Sequence, residues 1–217
     1  MKTLITGASS FIGNSILREM HDRGSEAKGV VRSLKEFETK NSNFNYITIE
    51  NIGENTDCST VLSGVDCVVH CATRTHVMNE DVVDFLVAYR VVNVEGTRNL
   101  AKQAAMAGVW RLIYLSSVKV NGEITARNNR FTCNDQSNPE DPYGVSKWEA
   151  EQALHEVAAN SGLEVVIVRP PLVYGPQVKG NFLRLLQWVA RGVPFPLGVV
   201  RNQRSMIGLD NLIDVDS

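Results

Sequence analysis

Thr6-Gly7-Ala8-Ser9-Ser10-Phe11-Ile12-Gly13 joins the first apolar burst of the chain, Lys2–Thr6, to a helical pattern running from about Phe11 to Arg23. In that helix Ile12, Ile16 and Met20 recur at helical spacing, and Gly24 stands where a helix stop is expected. A glycine-rich turn alone is a weak signal. Its place between a first strand and a first helix raises it, because a dinucleotide pyrophosphate needs such a place. Backbone N–H groups and a helix N-terminus must face negative charge with no side chain between. Gly7, Ser10, Phe11, Ile12 and Gly13 are the candidate contacts.

Outward from this turn the alternation repeats. Ala27–Val31, Tyr46–Ile49, Val65–Ala72, Val109–Leu115 and Leu163–Val168 read as strands, with a long helix over Val82–Ala107 and another over Lys147–Ser161. Val65–Ala72 is nearly all apolar, as a parallel strand covered on both faces requires. The pattern predicts an α/β fold with a doubly wound parallel sheet, of the Rossmann type. Residues 1–176 would form the dinucleotide-binding domain, with Asn121–Pro142 as a polar excursion near its site. Residues 177–217 would begin a small C-terminal substrate lobe. Asn181–Ala190 reads as a helix there, and the end of the chain, around Leu209-Asp210-Asn211-Leu212, shows no terminal strand or helix to finish a second lobe. A truncated chain is the expectation.

Composition narrows the classes. The 217 residues are 43% hydrophobic and 21% charged, with a net charge of −2, which is ordinary for a globular protein. Both signs are scattered, which argues against nucleic acid as a partner. No apolar run suits a membrane span, and the first residues lack the apolar core of a signal peptide. Cys58, Cys67, Cys71 and Cys133 show no Cys-x-x-Cys spacing; Cys67 and Cys71, four apart in an apolar strand, read as small core residues, and a reducing cytoplasm is the expectation. No histidine–acid spacing predicts a metal.

At the end of the second strand, Val30-Val31-Arg32-Ser33 offers a base and no acid. An acid there would accept from the ribose hydroxyls of NAD, whereas Arg32 suits the 2′-phosphate of NADP. NADP is therefore expected over NAD.

Tyr143 and Lys147 lie four apart and share a helix face. A phenol with a pKa near 10 is a poor base at neutral pH. A neighbouring ammonium is expected to lower that pKa, so that Tyr143 can exchange a proton with a substrate oxygen. Tyr-x-x-x-Lys arises often by chance on amphipathic helices. Leu115-Ser116-Ser117 changes the odds, because it ends the fifth strand at the carboxyl edge where such sheets place ligands. A serine there can polarise the same oxygen.

Taken in order, TGASSFIG, VVHCAT, NVEGT, LSSVKVNG, YGVSK and RPPLVYGP resemble the extended short-chain dehydrogenases, the family of nucleotide-sugar epimerases, dehydratases and reductases. The resemblance implies catalysis by Ser117, rather than Ser116, with Tyr143 and Lys147, which also border the cofactor. It places Cys71, Ala72 and Thr73 beside the cofactor, and Asn93 as a helix residue supporting the site. Asn51-Ile52 falls beside adenine, with Asn replacing the family's usual Asp. Arg204 matches an arginine that grips the nucleotide diphosphate, and Asn181 is a further candidate for that nucleotide. Ser10 stands where the family has glycine, and Leu172 where it often has asparagine.

The implied reaction acts at C4 of a UDP-sugar, as epimerase or as reductase of a 4-keto sugar nucleotide. Dehydratase ranks last because Val118 and Lys119, not an acidic pair, follow Ser117. A homodimer is the candidate assembly. The local signature resembles a subgroup linked to bacterial surface polysaccharide, which would put Lys119 near the sugar; a solvated loop lysine is the alternative. His70 reads as a satisfied strand-end histidine, and His76 as a candidate to face the sugar. The rival function is a non-catalytic dinucleotide-binding redox sensor, which would be expected to lose part of the Ser–Tyr–Lys set.

Overall fold

The computed structural model describes residues 1–34, 44–75, 84–126, 129–178, 180–192 and 203–214, with the side chain of Asn181 excluded. His76 falls outside the described residues.

The apolar bursts become strands β1 (Thr3–Thr6), β2 (Ala27–Val31), β3 (Tyr46–Thr48), β4 (Cys67–His70), β5 (Arg111–Leu115) and β6 (Glu164–Val168). They form one six-stranded sheet in the order β3-β2-β1-β4-β5-β6, every neighbour parallel. This is the doubly wound order whose reversal between β1 and β4 opens a crevice at the carboxyl ends. Between the strands run α1 (Phe11–Asp22), the short α2 (Ser59–Leu62), α3 (Phe85–Tyr89), α4 (Thr97–Met106) and α5 (Pro142–Ala159). Leu4, Val68 and Leu112 from the sheet meet Leu100, Ala104 and Leu154 from α4 and α5 in one buried cluster. Each such leucine stabilises the fold by about 1.5–3 kcal/mol of burial.

Three expectations change. The long helix expected over Val82–Ala107 is interrupted, because Arg90–Gly96 between α3 and α4 is π-helical. The helix expected from Lys147 begins at Pro142, where Asp141 accepts from the Gly144 N–H and proline takes the first turn. Aspartate at N-cap followed by proline at N1 is a strong helix start, and it puts Tyr143 in the first turn of α5. Finally, the chain after Tyr174 does end in regular structure. Strand β7 (Leu172–Tyr174) pairs in parallel with β8 (Met206–Gly208), after α6 (Gly180–Ala190) and before α7 (Leu209–Asp214).

Two compact units result, Met1–Arg169 and Pro170–Ser217. The boundary lies before residue 176 because β7 takes its partner from within the second unit. Among the described residues no helix is long and apolar enough to cross a membrane, and no cluster of metal-ligating side chains occurs.

Candidate active site

The turn after β1 is held by close backbone contacts. Gly7 has a φ of +67°, and a Cβ on it would stand 2.7 Å from the Ala72 nitrogen. A Cβ on Gly13 would stand 2.4 Å from the Gly7 carbonyl oxygen. Both positions therefore require glycine. Ser10 is the N-cap of α1, its Oγ accepting from the Gly13 N–H at 3.1 Å. The hydroxyl thus uses a lone pair on the helix and keeps its O–H proton to donate to an anion. This cradle fits a dinucleotide: a glycine turn, an open helix N-terminus and the carboxyl edge of a parallel sheet converge on it. Arg32 stands exposed just beyond β2. Asn51 and Ile52 follow β3, and the Ile52 carbonyl sits so close to Gly96 that a Cβ there would lie 2.6 Å away.

The end of β4 is tied down by polar side chains. His70 is buried, its Nδ1 2.6 Å from Thr6 Oγ1 and its Nε2 2.9 Å from Thr97 Oγ1. Burial, with the nearby Lys147 charge, lowers its pKa to about 3, so the ring is neutral. It is the satisfied strand-end histidine expected. Cys71, Ala72 and Thr73 follow, with Cys71 and Ala72 N–H groups donating to the Thr6 carbonyl and hydroxyl.

Asn93, in the π-helical segment, has every amide site satisfied. It accepts from Thr73 Oγ1 (3.0 Å) and the Arg74 N–H (2.7 Å), and donates to the Arg74 carbonyl (3.1 Å) and Ser146 Oγ (3.0 Å). Ser146 Oγ in turn donates to the Tyr143 carbonyl at 2.8 Å. Asn93 therefore pins the segment after β4 to the first turn of α5.

The two serines after β5 differ in their commitments. Ser116 is buried and donates to Glu151 at 2.5 Å. Ser117 caps a 3-10 turn, Val118–Val120, by accepting from the Lys119 N–H at 3.3 Å. Its proton can still be donated to a ligand, which supports the choice of Ser117.

Lys147 is buried, with Nζ donating to the Leu115 carbonyl at 2.8 Å. It lies 4.5 Å from the Tyr114 ring centroid and 5.9 Å from that of Tyr143. Burial lowers its pKa to about 7. Tyr143 packs edge-on against Tyr89, and its pKa is pushed up to about 12, chiefly by burial, against a hydrogen bond with the Thr73 side chain. The expected lowering of the phenol pKa is thus absent in the chain by itself. Desolvation outweighs an ammonium that is itself disfavoured by burial.

Lys119 is ion-paired to Asp141 and, at 2.8 Å, to Glu123. Arg204 is exposed in the second unit, and Asn181 belongs to α6 of the same unit. Glu151, Arg169 and Asn121 were not anticipated. Arg169 donates to both Glu151 oxygens (3.0 and 2.6 Å) and to Asn121 Oδ1 (3.3 Å).

A sequence profile of the NAD dependent epimerase/dehydratase family matches residues 3–204. The chain is 40% identical over 213 residues to a UDP-glucose 4-epimerase of Vibrio cholerae, covering 98% of this chain and 64% of that protein. It is 32% identical over 219 residues to an N-acetyl-α-D-glucosaminyl-diphospho-ditrans,octacis-undecaprenol 4-epimerase of Escherichia coli O157:H7, covering 97% of this chain and 60% of that one. The chain therefore spans less than two thirds of the length of these curated relatives. Among solved structures, a UDP-glucuronic acid 4-epimerase from Bacillus cereus, in complex with UDP-glucuronic acid and NAD, superposes with a TM-score of 0.81 at 25% identity. That match covers 98% of this chain and 71% of the other. Agreement this extensive, running through every strand of the sheet and into the second unit, joins sequence to structure: the chain belongs to the NAD dependent epimerase/dehydratase family.

Proposed function

We propose that this chain carries the catalytic part of a nicotinamide-dependent UDP-sugar 4-epimerase. The observation that carries the reading is the arrangement of Ser117, Tyr143 and Lys147 at the carboxyl edge of the sheet, beside a glycine turn fit for a dinucleotide. In this reading Gly7, Ser10, Phe11, Ile12 and Gly13 hold the pyrophosphate, and Asn51 and Ile52 border adenine. Cys71, Ala72 and Thr73 line the cofactor, with Asn93 behind them. The bound dinucleotide supplies reversible hydride uptake at C4 of the sugar and, when oxidised, a positive charge that favours a phenolate.

The chain's residues manage the proton. Tyr143 Oη takes it from the C4 hydroxyl and later gives it back. Ser117 donates a hydrogen bond to the same oxygen as it becomes a carbonyl. Lys147, held on the Leu115 carbonyl, favours the phenolate when protonated. Arg204 and Asn181 are assigned to the nucleotide diphosphate. The complete Ser–Tyr–Lys set supports an enzyme over a non-catalytic sensor.

Arg32 favours a second reading, an NADPH-dependent reductase of a 4-keto sugar nucleotide, since it offers a cation where a 2′-phosphate would lie. One experiment tests both. Purified protein is given UDP-sugars without added cofactor, and separately NADPH with a UDP-4-keto sugar. Epimerisation on retained NAD is the expected result; stoichiometric NADPH consumption without epimerisation selects the reductase. Tyr143→Phe should lower turnover roughly 10²–10⁴-fold in either case, with cofactor affinity nearly unchanged. Activity within twofold of the parent would sink the assignment.

A further inference from the structure

Lys119 sits two positions after Ser117, and Asp141 two positions before Tyr143. The side chains of this pair meet in an ion pair. Asp141 works in two directions: Oδ1 caps α5 by accepting from the Gly144 N–H at 2.6 Å, and Oδ2 accepts from Lys119 Nζ. The Lys119 N–H in turn donates to Ser117 Oγ at 3.3 Å. The two segments also touch along their backbones. A Cβ on Gly144 would lie 3.0 Å from the Lys119 carbonyl oxygen. The Asn138 N–H donates to the Val120 carbonyl at 3.0 Å, and the Glu123 N–H to the Glu140 side-chain Oε1 at 3.3 Å. Glu123 takes the Lys119 ammonium from the other side at 2.8 Å.

We propose that the Lys119–Asp141 pair is a clamp that fixes the Ser117 hydroxyl in register with the Tyr143 phenol, and that Lys119 is a positioning residue rather than a sugar contact. The proposal rests on the catalytic reading of Ser117 and Tyr143 given above. An ammonium already shared between two carboxylates has little left to offer a sugar hydroxyl. The pair is partly exposed, with 38% and 34% of the side-chain surface open, so it adds little to stability and its variants should fold. Its effect is on geometry, where small misplacements of reacting groups are costly.

Charge gives an independent signature. The groups acting on the Tyr143 phenol are Thr73, Asp141, Lys119 and Tyr89, with Lys147 over its ring and Tyr114 coupled to it. Asp141 raises the phenol pKa and Lys119 lowers it. Asp141→Asn keeps a capping oxygen for Gly144 but removes the ion pair; Lys119→Met removes the other half. Both should lower kcat about tenfold, with sugar KM nearly unchanged. The acid limb of the pH profile should move down in Asp141→Asn and up in Lys119→Met. The double variant should bring the limb back toward the parent's without restoring kcat, and Lys119→Arg should recover most of the rate.

A raised sugar KM with unchanged kcat in Lys119→Met would overturn the clamp and make Lys119 a sugar contact. Amide hydrogen exchange judges the clamp without turnover. Exchange across 118–122 should quicken in both single variants while β4 stays protected, and unchanged exchange overturns the proposal. A parent chain that turns over no UDP-sugar defeats the functional reading, and the exchange result still decides the clamp.

Discussion

At the scale of single residues the site depends on which polar groups are already committed. Ser116 and Ser117 are chemically equal, and the structure separates them by giving Ser116 to Glu151. Glu151 is fully buried and also holds Arg169 through both oxygens. A buried carboxylate of this kind costs desolvation that its partners offset, so removing it strands an arginine. Glu151→Ala should destabilise the chain by about 3–5 kcal/mol, measured by urea unfolding. A loss under about 1 kcal/mol would mean that water readily replaces the carboxylate. Tyr143 and Lys147 are legible in the sequence because helical spacing alone puts them on one face. Glu151 has the same spacing from Lys147, and it lies among Ala150, Ala153 and Leu154. Yet a sequence does not say which carboxylates on a helix are buried, because burial depends on β5 and β6 packing over it. The phenol pKa failed for a related reason: spacing announces the lysine and is silent on the desolvation.

Among elements, the β1–α1 turn is the part that the sequence announces best. Gly7 is demanded by contact with the segment after β4, a strand far along the chain, and Gly13 by contact with the Gly7 carbonyl inside the turn. The π-helical segment is the part that it hides. Apolar periodicity runs through Arg90–Gly96 much as through the α-helical turns on either side, while Asn93 reaches back to Arg74 and across to Ser146. Such bulges are common at functional sites, and only the partners on neighbouring elements reveal this one. At the end of β2 a single exposed side chain, Arg32, is the proposed determinant of cofactor preference. Arg32→Asp replaces a partner for a 2′-phosphate with an acceptor for ribose hydroxyls. The ratio of NADP to NAD affinity should fall about tenfold or more, the scale of one charge-assisted hydrogen bond. Calorimetric titration of both cofactors checks this; a parent that binds the two equally, and a variant that does the same, removes Arg32 from the site.

For the whole molecule, two buried groups, His70 and Lys147, and the half-buried Tyr143 tie stability to pH. His70 has its pKa lowered from 6.5 to about 3, so the unfolded chain takes up a proton that the folded chain refuses. Its stabilising contribution is present above about pH 6.5 and is lost as pH falls toward 3. The full loss is on the order of 5 kcal/mol. Lys147, lowered from 10.5 to about 7, acts in the next window. There the folded chain sheds a proton that the unfolded chain keeps, so stability rises with pH between those values. Tyr143, raised from 10.0 to about 12, reverses the trend, because the unfolded phenol ionises first. The first unit should therefore be most stable on the alkaline side of neutrality, even though protonated Lys147 is the form that favours the phenolate. A proposed catalytic set that works against the fold in this way is an expected trade. The units need not unfold together, so amide exchange in β4, corrected for intrinsic rates, should report the first one. Opening free energies should climb from pH 5 to 9 in the parent. Lys147→Met should flatten the climb above pH 7 and leave most of the acid side, which the burial of His70 carries. A parent whose β4 protection peaks below neutrality, or a variant that keeps the alkaline rise, would show that Lys147 holds its proton when buried.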